Sequence, residues 1–145
     1  MVTLTHAVEA YFITVAICGF FYVGLAINVI RNRNRAQVAI GHGDDYQLHI
    51  AIRAFGNFSE YTPITLILVG GNLALGAHMD VIFPACLLFL MARILHIFSL
   101  YHFEQTELPT VFYRLVAIGT NILVICFSST ILFLELMLNA YNPIF

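Results

Sequence analysis

Arg53, Asn57 and Glu60 are spaced i, i+4 and i+7. On a helix that spacing sets a guanidinium, a carboxamide and a carboxylate along one stripe. Such a stripe can grip both ends of a zwitterion. The guanidinium forks onto a carboxylate or phosphate, and the carboxylate accepts hydrogen bonds from an ammonium. Pro63 follows three residues later. A proline offers no N–H to the carbonyl of Ser59 and tends to kink a helix, which would open a gap beside Glu60. Arg93, His96 and Arg114 are the other ionisable groups set within apolar sequence. All six basic residues of the chain are arginine and none is lysine; arginine is the planar, permanently charged partner of carboxylates.

The elements that must position these groups follow from composition. The chain has 145 residues, 61% hydrophobic and only 10% charged. Soluble domains average roughly 25% charged residues, so this chain cannot cover a water-facing surface. A soluble enzyme, a disordered segment and a nucleic-acid binder are excluded, and an integral membrane protein is expected. Four apolar runs, over about residues 8–30, 56–77, 81–101 and 110–138, predict a single all-α domain of four transmembrane helices. Met1 to His6 lacks the positive n-region of a cleaved signal peptide, so the first run is expected to be retained. Cys18, Cys86 and Cys126 sit inside apolar runs without metal-site spacing and read as small buried hydrophobes. Six scattered histidines without i, i+4 pairs predict no metal site, and His42 and His49 read as interfacial.

The connections differ in kind. Gly76 to Asp80 is a tight link, which predicts an antiparallel pairing of the second and third spans. The third and fourth are joined over residues 102–109. The longest link, Arg31 to about Asp45, contains RNRNR and GHGDD. Gly41 and Gly43 break any helix there, and Asp44 is expected to cap a lead-in from Tyr46 to Glu60 that continues into the second span. Arg31, Arg33 and Arg35 form the one cluster of positive loop charge, which predicts that this loop is cytoplasmic and that both termini face the opposite side.

With that topology four helices deliver Arg31, Arg53, Glu60, Arg93, His96 and Arg114 to one leaflet. Glu9, His78, Asp80 and Glu135 lie near helix ends in the other. Each charge near mid-bilayer costs roughly 2.5–3.5 kcal/mol on insertion scales. Arg53, Arg93 and Arg114 outnumber Glu60 by two charges, before Arg31 is counted. An uncompensated excess in low dielectric calls for an anionic ligand, and a small zwitterion with surplus carboxylate fits it.

The run Arg53-Ala54-Phe55-Gly56-Asn57-Phe58-Ser59-Glu60-Tyr61-Thr62-Pro63 resembles the second-helix signature of the MAPEG family, the membrane-associated proteins in eicosanoid and glutathione metabolism. GHGDDYQLHIAI is similar to the family's lead-in, Ala92-Arg93-Ile94-Leu95-His96 to the third-helix motif of bacterial members, and Phe112 to Gly119 to the start of the fourth helix. The resemblance covers most of the chain. It implies a homotrimer of four-helix subunits in a bacterial inner membrane, binding glutathione between neighbouring subunits near the cytoplasmic face. It implies that Arg53, Asn57, Glu60 and Tyr61 bind glutathione, with Arg93 adding to the same shell or to helix pairing. Arg31 or Arg33 would match the family arginine at the end of the first span, and Arg114 the arginine that stabilises the thiolate. His96 stands where the leukotriene and prostaglandin enzymes carry a glutathione-contacting tyrosine. The next family tyrosine corresponds to Leu100 or to its neighbour Tyr101, and Phe55 replaces a polar residue of some members.

The chemistry expected is thiol activation. A free thiol of this kind has a pKa of about 8.5, and a guanidinium beside sulfur favours the thiolate. Arg114 is the first candidate for that role and the hydroxyl of Tyr101 the second. His96 reads equally as an acid–base group or a polar helix contact. The second substrate would be a hydrophobic electrophile or lipid hydroperoxide entering from the bilayer. Two other readings stand beside this one: a non-catalytic glutathione- or lipid-binding scaffold of the same fold, and a small multidrug-type transporter. The off-centre position of Glu60 disfavours the transporter.

Overall fold

The computed structural model describes residues 2–102 and 108–141, with side chains over 5–101 and 111–138. Four helices follow one another: α1 (Val2–Ala36), α2 (Tyr46–Ala74), α3 (Met79–His102) and α4 (Leu108–Tyr141). No strand occurs among the described residues. α1, α3 and α4 are long and apolar enough to cross a membrane. α2 is comparable in length and carries the stripe of Arg53, Asn57 and Glu60. α2 packs on all three of the others, and among the described residues α1 and α4 do not pack on each other. The outward faces carry large apolar side chains such as Phe12, Phe20, Leu123 and Phe133, as helices facing lipid do.

Several boundaries differ from the sequence reading. The RNRNR segment is the last turns of α1, not a loop. Arginine is a good helix former, and Arg33 and Arg35 meet the partial negative charge of the helix C-terminus. Gln37 then turns left-handed at φ 55°, and Gly41 and Gly43, at φ 74° and 54°, complete the reversal. The cap of α2 is Asp45 rather than Asp44: its carboxylate accepts the Leu48 N–H at 2.8 Å, while Asp44 takes the left-handed φ of 59°. Arg35 donates to the same carboxylate at 2.6 Å. The Leu48 N–H foremost, and then Arg35, hold the Asp45 carboxyl below the ordinary carboxylate range. Arg33 reaches over the turn and donates to the Ala39 and Gly41 carbonyls at 3.0 Å each.

The lead-in behaves as expected, since α2 runs unbroken from Tyr46 through Pro63. Residues 75–78 join α2 to α3. Residues 103–107 of the expected third link lie outside the described residues.

Apolar side chains gain little by leaving lipid for protein, so close packing and hydrogen bonds must hold such helices together. Both are visible. The Tyr11 hydroxyl donates to the Leu66 carbonyl at 3.2 Å and joins α1 to α2. It crosses at Gly70, where an added Cβ would stand 2.6 Å from that hydroxyl. Asn72 donates to the Ser128 carbonyl at 2.9 Å and joins α2 to α4. Membrane hydrogen bonds average only about 0.6 kcal/mol, so the close approach at Gly70 contributes alongside them. Cys18 and Cys86 are buried in this core as expected. Cys126 is exposed, because it lies on the outward face of α4 beside Phe127.

Candidate functional site

Arg93 is the centre of the site. It lies near the middle of α3 and is 1% exposed, among the largest side chains fully inside the bundle. Its Nη1 donates to Asn57 Oδ1 on α2 at 2.8 Å, and its guanidinium lies 5.2 Å from the ring centre of Tyr61. The i, i+4 spacing of Asn57 and Tyr61 makes both contacts possible from one face of α2. An aromatic face and a neutral amide orient a cation without cancelling its charge. Nε and Nη2 of Arg93 are buried without a hydrogen-bond partner among the described residues.

His96 lies one turn further along α3 and is also buried, with Nδ1 unpartnered. Arg93 lies three residues before it on the same helix, and Arg53 and Arg114 are carried by α2 and α4 at the same end of the bundle. Among the described residues no carboxylate forms an ion pair with any of the three, and none of the arginines pairs with Glu60. Among the described residues, the one arginine with a carboxylate partner is Arg35, at the α2 cap.

The expected buried cluster is graded rather than uniform. Arg93 and His96 are buried, Asn57, Tyr61 and Arg114 are half-buried, and Arg53 and Glu60 are exposed on the outward side of α2. The physical reason is the width of the stripe. Asn57 and Tyr61 turn toward α3, which leaves Arg53 and Glu60 at its outer edge. Arg31 is exposed at the end of α1, and Arg33 is engaged by the turn that follows it.

Tyr101 lies apart from this cluster. Its hydroxyl accepts a hydrogen bond from Asn28 Nδ2 of α1 at 2.7 Å. The residue that continues the Arg93 and His96 stripe is Leu100, buried and without a hydroxyl. Asn28 was not singled out from the sequence. Its signal was an uncharged amide inside an apolar run, one turn before the arginines. The same signal marks Asn72 and Asn121, both buried to 1% or less.

The arrangement can hold a polyanion by its positive excess and present a cation to a sulfur. A family model described as the MAPEG family matches residues 11–134. The inner membrane protein YecN of Escherichia coli strain K12 is 31% identical over 77 residues, which cover 53% of this chain and 59% of YecN. The protein of the same name from Escherichia coli O6:H1 strain CFT073 matches to the same extent. The chain thus spans less than two thirds of the length of the curated relatives it matches. No solved structure matches it. The apolar helices and the family match together make this a multi-pass membrane protein, and the chain belongs to the MAPEG family.

Proposed function

We propose that this protein is a membrane-embedded glutathione transferase. The observation that carries the reading is the buried guanidinium of Arg93, with Arg53 and Arg114 on the neighbouring helices and no carboxylate in an ion pair with any of the three among the described residues. Glutathione has two carboxylates, one ammonium and a thiol. Arg53 and Arg93 would take carboxylates, with Asn57 and Tyr61 orienting Arg93. Glu60 would accept from the ammonium. Arg114 would stand beside the sulfur and favour the thiolate, which then attacks a hydrophobic electrophile or reduces a lipid hydroperoxide. Arg31 would reach the same ligand from the end of α1 of a neighbouring copy. Exposed Arg53 and Glu60, with open space at Gly56 between them, support a homotrimer in which a second subunit completes the site. The arginine-rich end would face the cytoplasm.

A second reading has its own support. Tyr101 is turned toward Asn28, and Leu100 supplies no hydroxyl to the stripe. A site with recognition groups and no phenol on its α3 stripe fits a non-catalytic binder of the same fold. One assay separates the two: detergent-purified protein, glutathione and chlorodinitrobenzene. The transferase reading predicts turnover that is lost in Arg114→Ala and kept in His49→Ala. Glutathione binding without turnover gives the scaffold reading, and no binding removes both.

A further inference from the structure

The end of the bundle farthest from the arginines has a crevice of its own. It opens between the first turns of α1 and α3 and offers about 340 Å³, open to the surface on one side. Ile13 of α1 and Phe83, Leu87 and Leu90 of α3 form its walls. His6 and Glu9 stand at its mouth, where His6 Nδ1 and Glu9 Oε2 lie 3.1 Å apart. The walls are apolar, so the body of a ligand here must be apolar too. At about 30 Å³ for each water-sized group, the volume holds an alkyl chain of roughly eleven carbons. From Met79 to Leu90 the crevice follows α3 for about 16 Å at 1.5 Å per residue, so the chain would lie along the helices.

Charge identifies the head of that ligand. All six arginines lie toward the other end of the molecule. Glu9, Asp80 and Glu135 are the acidic residues of this end, and Asp80 lies 3.4 Å from His78. Glu9 is well exposed at the mouth, with His6 beside it. An anionic head would face the excess of carboxylates at this end, whereas a cationic head meets the Glu9 carboxylate where the chain emerges.

We propose that this crevice is a binding site for a single-chain cationic amphiphile, an alkylammonium of about ten to twelve carbons, with its chain between α1 and α3 and its ammonium on Glu9. The site is separate from the arginine cluster and does not depend on glutathione.

The chain contains no tryptophan, so Phe83→Trp places a single tryptophan, excited apart from the tyrosines, in the crevice wall. The probes are 12-bromododecyl ammonium, its alcohol and its sulfate, titrated against Phe83→Trp protein in nanodiscs of zwitterionic lipid. The bromine quenches only when the chain lies beside the indole. The expected result is saturable quenching by the ammonium, about threefold to fivefold tighter than the alcohol, as an exposed ion pair gives, with the sulfate weakest. Glu9→Gln should bring the ammonium to the affinity of the alcohol, and Ala10→Leu, which fills the crevice, should abolish saturation. Linear quenching without saturation, or equal affinity for ammonium and sulfate, overturns the proposal. That comparison of head groups uses one protein and stands even where the two further variants fail to fold.

Discussion

A guanidinium inside a helical bundle is stable only where something offsets its desolvation. Arg93 has one neutral amide, one aromatic face and two unpartnered nitrogens among the described residues. Each buried polar group without a partner costs about 1–3 kcal/mol. A negatively charged ligand nearby would offset that cost, and the carboxylates of a zwitterion would do so for Arg53 and Arg114 as well. Glu60 tests the opposite pole of the same ligand. Glu60→Gln keeps the shape and removes the charge, and hydrogen bonds to charged groups contribute about 1.5–3 kcal/mol. Calorimetric titration should therefore show glutathione affinity weakened by at least about tenfold, with the oligomeric state unchanged in a sizing column. Unchanged affinity would remove Glu60 from the site.

At the scale of elements, the start of α2 rests on Asp45. Its carboxyl ionises more readily in the folded protein than in the unfolded chain. A group whose pKa is depressed on folding contributes stability at high pH and loses it as pH falls through the folded value. Asp45→Ala should thus lower the melting temperature at neutral pH. The difference from wild type should shrink once pH drops below the ordinary carboxylate range, near 4. A melting difference that is constant with pH would contradict the charge-based cap. The contact between α1 and α2 offers a second test. Gly70→Ala drives a methyl against the Tyr11 hydroxyl, and overpacking typically costs 1–3 kcal/mol. Tyr11→Phe removes the clashing oxygen, so the double variant should lose less stability than the two single variants summed. Additive losses in chemical denaturation would place the strain elsewhere.

These elements also show what the sequence made legible. Apolar run length located the helices, and the i, i+4, i+7 spacing located the stripe that meets Arg93. The ends of α1 were misread because RNRNR looks like a loop by charge, whereas arginine is at home in a last helical turn. The cap fell one residue later than expected, because which of two adjacent aspartates turns left-handed depends on the whole reversal from Gln37 to Asp45. The outward placement of Arg53 and Glu60 was not legible either. Periodicity says that residues share a stripe, and only the packing of α2 against α3 decides which edge of it is covered. Tyr101 and Leu100 present the same difficulty. Adjacent residues point about 100° apart on a helix, and contact with Asn28 selects which of them faces α1.

The whole molecule is electrically lopsided. Its arginines gather toward one end, and Glu9, Asp80 and Glu135 mark the other. The arginine-rich end is suited to an anionic thiol and the acidic end to a cationic amphiphile, so the two proposed sites divide the length of the bundle. The central claim concerns the first of them: arginines from separate helices gather at one end without carboxylate partners among the described residues, and the proposed ligand that neutralises them is a thiol whose proton they displace. Titration of the thiolate ultraviolet absorbance of protein-bound glutathione against pH tests this most directly. The account predicts a bound thiol with an apparent pKa below the free value of about 8.5, returning toward that value in Arg114→Ala. A bound thiol that ionises at the free value in the wild-type protein would contradict it.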